Sequence, residues 1–179
     1  VSFSVAKNEV FSIVGPNGAG KSTIFNVISS FYQPSQGQIF FDAQDITATK
    51  PDEKAKLGIT RTFQNIELFE HSSVLQNLLI GRSIHNRHSV YRQFIFDKTV
   101  RNSEIAHREA AEKVIDFLEL AHYRDDLIAN LPYGVRKKVE LARALCAEPS
   151  LLLLDEPASG LNPEETEEVG HWIEDIRHD

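Results

Sequence analysis

Eight consecutive residues near the start of the chain carry the clearest chemical pattern in the sequence. They match G-x-x-x-x-G-K-[ST] at every fixed position and run Gly15-Pro16-Asn17-Gly18-Ala19-Gly20-Lys21-Ser22. Because glycine allows backbone angles and close approaches that a side chain would block, successive N–H groups of such a loop can point inward at phosphate oxygens. Lys21 would reach the β- and γ-phosphates, and the Ser22 hydroxyl would coordinate Mg²⁺. The pattern predicts a nucleoside triphosphate site, to which we also assign the next residue, Thr23.

Two adjacent acids, Asp155 and Glu156, follow the aliphatic run Leu151-Leu152-Leu153-Leu154. This run predicts a buried strand that delivers both carboxylates to the C-terminal edge of a sheet. There Asp155 can hold Mg²⁺ through its hydration shell, and Glu156 can accept a proton from the attacking water. The alternative is a pair of solvated acids at the end of a strand, but the phosphate loop upstream favours the catalytic interpretation.

The residues on either side of the phosphate loop predict a strand before it and a helix after it. Residues 10–14, Val-Phe-Ser-Ile-Val, are typical of a buried parallel strand. After the loop, apolar residues recur with the spacing of one helix face, at Ile24, Val27, Ile28 and Phe31. That helix would add its N-terminal dipole to the anion site. An earlier half-buried strand is predicted from the alternation of Val1, Phe3 and Val5.

Further along, short strands are expected at 38–41 and 59–63. Residues 72–120 have largely helical spacing, interrupted by a polar, irregular part at 85–102. Another helix is expected after Gly134. Alternation of this kind predicts an α/β core that carries a helical insertion.

The last helix has a well-marked start at Asn162-Pro163-Glu164-Glu165, with a capping Asn, a first-turn Pro and acids facing the positive end of the dipole. We therefore predict a P-loop NTPase core, with a parallel sheet flanked by helices, at residues 1–71 and 151–179. An inserted α-helical subdomain is predicted at 72–150, and we expect the core to be truncated at both ends.

Composition fits one globular domain and excludes several classes of protein. The 179 residues are 41% apolar with a net charge of −7, which argues against general binding to a nucleic-acid backbone. The longest aliphatic run is four residues, whereas a membrane-spanning helix needs about 20. The single cysteine, Cys146, cannot form an internal disulfide and fits a reducing compartment. Because the sequence contains no methionine, we expect a trimmed chain or an internal piece of a longer one.

Three further motifs narrow the class of nucleotide-binding protein. Gln64 follows an extended segment, Leu131-Pro132-Tyr133-Gly134-Val135 precedes a helix that leads to Asp155, and Ser159-Gly160-Leu161-Asn162 follows the acidic pair. With these motifs in this order, the sequence resembles the nucleotide-binding subunit of ABC transporters over nearly its whole length. Within that family it is most similar to the ATPase of bacterial branched-chain amino acid importers, through residues 58–66, the long insertion, 131–134, 140–145 and 151–162.

The resemblance implies a head-to-tail dimer, homomeric or heteromeric, with two ATP molecules between the subunits. Each phosphate loop would face the partner's signature motif, and the helix after the signature glycine would aim its N-terminal amides at the γ-phosphate. The resemblance assigns catalysis to Glu156, Gln64 and Lys21 and metal binding to Ser22, Gln64 and Asp155. It adds to the nucleotide site Gln64 and the signature residues Leu131, Pro132, Tyr133 and Gly134.

The resemblance also implies that ATP hydrolysis drives transport through integral membrane permease subunits, on which the helical subdomain docks. The chain would lie at the cytoplasmic face of the bacterial inner membrane as a peripheral subunit. A periplasmic solute-binding protein would take part indirectly, and no nucleic acid is expected as a partner.

The sequence departs from the family pattern in two ways. The signature commonly has Ser where this chain has Pro132, and usually Gln where it has Val135, so one hydroxyl contact with phosphate is lost. The family carries an adenine-stacking aromatic upstream of the phosphate loop and a switch histidine on a strand after the final helix, and we expect this chain to start too late for the first and to end too early for the second. His171 and His178 lie within the predicted last helix and do not fit the context of that histidine. We therefore expect a fragment whose turnover is impaired when it is alone.

Two other functions are compatible with parts of the pattern. A soluble ABC-type ATPase acting on nucleic acid or ribosomes would use the same site, but the acidic balance and the transporter-like insertion disfavour it. A small-molecule kinase leaves Gln64 and the motifs at 131–134 and 159–162 unexplained. Residues 94–96, Phe-Ile-Phe, could form either a docking patch or part of the subdomain's own packing.

Overall fold

The computed structural model describes residues 1–62, 66–85 and 98–178. The helices are α1 (Lys21–Ile28), α2 (Pro51–Lys56), α3 (Val74–Arg82), α4 (Lys98–Phe117), α5 (Tyr133–Leu145) and α6 (Pro163–His178). The strands are β1 (Phe40–Phe41), β2 (Gln44–Asp45), β3 (Ile59–Arg61) and β4 (Leu151–Leu153). Short 3₁₀ turns lie at Ser83–His85, Ala121–Tyr123 and Ile128–Asn130. The helices predicted after the phosphate loop, after Gly134 and after Asn162 are all formed, but the first ends at Ile28, so Phe31 is not part of its apolar face. Residues 98–102, predicted to be irregular, belong to α4.

The strand that precedes the acidic pair is paired in parallel with a strand from the first part of the chain. The register of β3 and β4 places Ile59 opposite Leu151 and Arg61 opposite Leu153. The N–H of Thr62 extends the ladder by donating to the carbonyl of Leu153 at 2.9 Å. Because the two strands are parallel, the residues that follow them meet at the same edge of the sheet, and α3 to α5 lie in the chain between them.

Strands β1 and β2 form a small antiparallel hairpin that the sequence analysis identified only in part. Their two-residue connection has φ of 46° at Asp42 and 63° at Ala43. Positive φ at both central residues is typical of the hairpin turn whose twist matches that of the flanking strands. The predicted strand at 38–41 is therefore confirmed at 40–41.

The strands predicted at 1–5 and 10–14 are not formed, and these predictions are wrong. A turn at residues 7–8, with φ of 59° at Asn8, folds the first segment back on the second, and the rings of Phe3 and Phe11 stack with centroids 5.0 Å apart. Within the described ranges no strand is paired with either segment, and Val14 is 91% exposed. A strand needs a neighbour to satisfy its backbone groups, so an apolar run alone does not make one.

The larger hydrophobic core lies where α3, α4 and α5 pack together. Its fully buried members include Val74, Leu78, Ile115, Leu118, Val139 and Ala142. Helices α3 and α5 approach closely at Gly81, where an added Cβ would lie 2.3 Å from the carbonyl oxygen of Arg143. A smaller core beneath α1 is formed by Ile46, Ile59 and Leu153. No helix in the described ranges is both long and apolar enough to cross a lipid bilayer.

Candidate functional site

The phosphate loop is folded around the side chain of its lysine. The Nζ atom of Lys21 donates to the carbonyl oxygens of Gly15 at 2.7 Å and Pro16 at 3.1 Å. Gly18 and Gly20 have φ of 83° and 88°, left-handed conformations that glycine adopts without a side-chain clash. Since α1 begins at Lys21, its first N–H groups face the loop, which is the arrangement required for an anion site at a helix N-terminus.

The remaining predicted loop residues lie at the surface around this turn. The N–H of Ala19 closes the loop by donating to the Pro16 carbonyl at 3.1 Å. Asn17, Ser22 and Thr23 are exposed, the last two in the first turn of α1. The two hydroxyls are therefore accessible to a ligand bound at the loop.

Strand β4 leads into two acids that lie in different environments. Asp155 is 5% exposed, and its Oδ2 atom accepts a hydrogen bond from Arg61 at 2.8 Å. Glu156 is exposed and has φ of 50°, which is uncommon for a residue with a side chain. The sharp backbone turn thus separates the two carboxylates: one is held inside as an ion pair, and the other lies where water can reach it.

Arg61, to which the sequence pattern gave no role, joins the parts of the site. One arm of its guanidinium contacts Asp155, and the other donates to Oδ1 of Asn26 on α1 at 2.6 Å. The guanidinium also lies over the ring of Phe25, 5.6 Å from its centroid. The signal in the sequence was a charged residue at the position between Ile59 and Phe63 in the alternating pattern, and an arginine buried there needs an acidic partner.

The signature motif forms the start of α5. Leu131 is buried, Pro132 is the N-cap, and the helix begins at Tyr133. Arg136 fixes the preceding turn because it donates to the carbonyls of Leu131 and Ala129, both at 2.9 Å. The backbone leading into α5 is thereby held in one conformation even though the usual serine is replaced by proline.

Two glycines let the start of α5 pack against the segment that follows the acids. The Tyr133 hydroxyl donates to the carbonyl of Ser159 at 3.3 Å, and a Cβ added at Gly160 would lie 3.0 Å from the tyrosine ring. A Cβ added at Gly134 would lie 2.2 Å from Oε1 of Glu165. The structure therefore gives Tyr133 a contact that its sequence position did not reveal.

Gln64 lies outside the described residues, but the segment after it is well anchored. The buried side chain of Asn77 accepts from the N–H of Phe69 at 2.9 Å and donates to its carbonyl at 3.2 Å. Arg143 on α5 donates to the carbonyl of Glu67 at 2.6 Å, and burial lowers the pKa of this guanidinium. Residues 67 and 69 are thus held against helices α3 and α5.

The residues predicted to bind metal offer the oxygen donors that Mg²⁺ prefers. Ser22 lies on α1, the helix that also carries Asn26, and Asp155 lies on the other side of the Arg61 side chain that Asn26 contacts. Across the described part of the chain, no group of three or more His, Cys, Asp or Glu could hold a metal ion. Mg²⁺ in proteins commonly keeps water and substrate phosphates among its ligands, so one or two protein oxygens are enough to hold it.

Proteins of known family resemble this chain over nearly its whole length. The sequence model described as ABC transporter matches residues 1–159 of the chain. The chain belongs to the ABC transporter family. It is similar to the high-affinity branched-chain amino acid transport ATP-binding protein BraF of Pseudomonas aeruginosa, with 37% identity over 180 residues that cover 99% of this chain and 69% of BraF. The corresponding protein LivG of Escherichia coli K12 is 32% identical over 178 residues, which cover 99% of this chain and 70% of LivG.

The fold comparison agrees with this membership of the ABC transporter family. The crystal structure of an ATP-binding cassette of an ABC transporter, in its ADP conformation, has a TM-score of 0.84 and 36% identity, and covers 99% of this chain and 69% of that one. The predicted P-loop fold with inserted helices and the resemblance to ABC ATP-binding subunits are both confirmed. The chain is an ABC-type, nucleotide-binding ATPase, and the kinase alternative is wrong.

Proposed function

We propose that this chain is the ATP-binding and ATP-hydrolysing subunit of an importer for branched-chain amino acids. The observation that carries the proposal is that BraF and LivG, both named for transport of these solutes, align with 99% of the chain. The chain would supply the force and timing of transport, while membrane and periplasmic partners select the solute. The alternative of an ATPase acting on nucleic acid or ribosomes has no support from these relatives.

ATP would bind with its phosphates in the loop 15–22. In this structure Lys21 donates to two carbonyl oxygens of the loop; with ATP bound it would donate to phosphate oxygens instead. The N-terminus of α1 would stabilise the negative charge of the phosphates. Ser22, Gln64 and Asp155 would hold Mg²⁺, which would neutralise part of the negative charge of the phosphates. Glu156, exposed at the end of β4, would accept the proton of the attacking water.

The signature residues 131–134 would act on the nucleotide of a second subunit in a head-to-tail dimer. Two features of the structure support this role. Tyr133 is 49% exposed, and α5 begins at this exposed residue. Closure of the dimer would bring these amides to the γ-phosphate, as a trans-acting group does in other P-loop enzymes. Each subunit would then complete the site of the other.

The chain would work as a peripheral subunit on permease proteins at the cytoplasmic face of a bacterial inner membrane. A decisive experiment is to express the full-length protein together with the permease subunits encoded by adjacent genes, and then to purify it in detergent. We expect a stable complex whose ATP turnover rises when a solute-binding protein loaded with leucine is added. Association with ribosomes that is removed by RNase, with no permease retained, would contradict the proposal.

A further inference from the structure

Arg61 connects three parts of the candidate site that are far apart in the sequence, because it belongs to one of them and contacts the other two. Its guanidinium donates to Asp155 at the end of β4 at 2.8 Å and to Asn26 on α1 at 2.6 Å. The residue itself ends β3, three positions before Gln64. One side chain thus connects the helix of the phosphate loop, the predicted metal-binding acid and the strand that leads to Gln64.

Burial favours a single geometry for these hydrogen bonds. The side chains of Arg61 and Asp155 are 10% and 6% exposed, so water competes little for their hydrogen bonds. A guanidinium is planar and its donors have a fixed fork, so binding to Asn26 with one arm orients the other arm toward the carboxylate. The position and plane of the Asp155 carboxylate are therefore set relative to α1, and not only by strand β4.

We propose that Arg61 is a positioning residue for the metal–nucleotide site. It orients the Asp155 carboxylate and fixes its place relative to the helix that carries Lys21 and Ser22. The inference rests on the proposed function, since it assumes that Asp155 acts on Mg²⁺ bound with the nucleotide. A purely structural ion pair would stabilise the fold but would leave the Mg²⁺ requirement for nucleotide binding unchanged.

The test is nucleotide binding by the full-length protein, measured with a fluorescent, non-hydrolysable ATP analogue over a range of Mg²⁺ concentrations. Arg61→Lys keeps the charge but loses the fork, so it cannot hold Asn26 and Asp155 together in the same way. We expect the half-saturating Mg²⁺ concentration to rise about tenfold, as for other residues that orient metal ligands. Affinity for the analogue without Mg²⁺ should not change.

Two further variants separate positioning from folding. Asn26→Ala removes the anchor on α1 and leaves the ion pair, so it should raise the Mg²⁺ requirement in the same direction but less. Arg82→Lys is the matched control, because the Arg82 side chain is also 10% exposed and pairs with Glu148 at 2.5 Å outside the site. This control should have the Mg²⁺ requirement of the wild type even if its melting temperature falls.

An unchanged Mg²⁺ requirement in both Arg61→Lys and Asn26→Ala, with the variants folded by circular dichroism, would overturn the proposal and leave nucleotide binding by the wild type intact. If the wild type itself bound no analogue at any Mg²⁺ concentration, the proposed function would fail, and the role of Arg61 with it.

Discussion

The hydroxyl of Tyr133 donates a hydrogen bond to the carbonyl of Ser159 at 3.3 Å, and the tyrosine ring lies directly against the backbone of Gly160. This contact joins the start of α5, which carries the signature motif, to the segment that follows the acidic pair. If the signature acts on the partner's nucleotide and the acids act on the chain's own, the contact lies between elements of two different ATP sites. A movement of either element would therefore displace the other through this contact.

Gly160→Ala should disturb this contact. Gly160 has φ of 79°, and a Cβ there would lie 3.0 Å from the Tyr133 ring, so the substitution introduces backbone strain and displaces the ring. We expect a loss of about 1 kcal/mol in the free energy of unfolding and a fall in ATP turnover that exceeds any change in ATP affinity. Urea unfolding and steady-state turnover of the full-length protein measure the two effects.

Gly170→Ala is the control for that substitution. Gly170 lies within α6, and a Cβ added there meets no atom within 4 Å. Alanine should therefore raise the free energy of unfolding by up to about 1 kcal/mol and leave turnover unchanged. If Gly160→Ala and Gly170→Ala had the same free energy of unfolding and the same ATP turnover, the contact at Gly160 would have no role.

Lys21→Ala should weaken nucleotide binding itself. The ammonium group already makes two hydrogen bonds inside the phosphate loop, and loss of a charged donor to a phosphate raises the Kd by about 10- to 100-fold. Equilibrium dialysis with Mg-ATP measures the change. Lys7→Ala, at an exposed lysine before the loop, should bind like the wild type, and tight binding by Lys21→Ala would remove this residue from the site.

Glu156→Gln should retain ATP binding and lose hydrolysis. The amide has nearly the shape of the carboxylate but cannot accept the proton of the attacking water, so turnover should fall by about 10²- to 10⁴-fold. With ATP bound but not cleaved, the full-length variant should elute as a dimer in size-exclusion chromatography. Glu164→Gln, at an exposed acid in the first turn of α6, serves as control, and rapid turnover by Glu156→Gln would exclude Glu156 as the base.

Acid should destabilise the helical region through Glu112 on α4. Both of its oxygens accept from Nε of Arg124 at 3.0 Å, and this hydrogen bonding is the main reason that the pKa of Glu112 is lowered from 4.5. A carboxyl whose pKa is lowered by folding stabilises the protein above its unfolded pKa, and this stabilisation is lost as the pH falls through the folded pKa.

Glu112→Gln should therefore reduce stability at neutral pH and make stability depend less on pH below 4.5. Urea unfolding of both proteins at a series of pH values measures this dependence. Glu109→Gln, at an exposed glutamate on the same helix, should follow the wild-type curve. Parallel curves for Glu112→Gln and the wild type would show that the pair with Arg124 does not contribute.

Features set by neighbouring residues could be predicted from the sequence. The phosphate loop depends on glycines and a lysine within eight residues, and its turn and helix start are formed as expected. The start of α6 is another such case, since the Asn162 side chain accepts from the N–H of Glu165 at 2.9 Å and the Glu165 carboxylate accepts from the N–H of Asn162 at 3.0 Å. Both are local arrangements, in which the residue types fix the geometry.

The tertiary structure decided what depends on distant partners. The strand predicted at 10–14 had suitable residues but no neighbour among the described strands, and a strand is stable only when another strand satisfies its backbone groups. Arg61 and Asp155 are 94 positions apart, and only the parallel register of β3 and β4 brings them together. The sequence by itself determined which groups could bind phosphate and metal. The fold determined which side chain holds Asp155 in place, because the partner of a buried charge is the residue that tertiary packing places next to it.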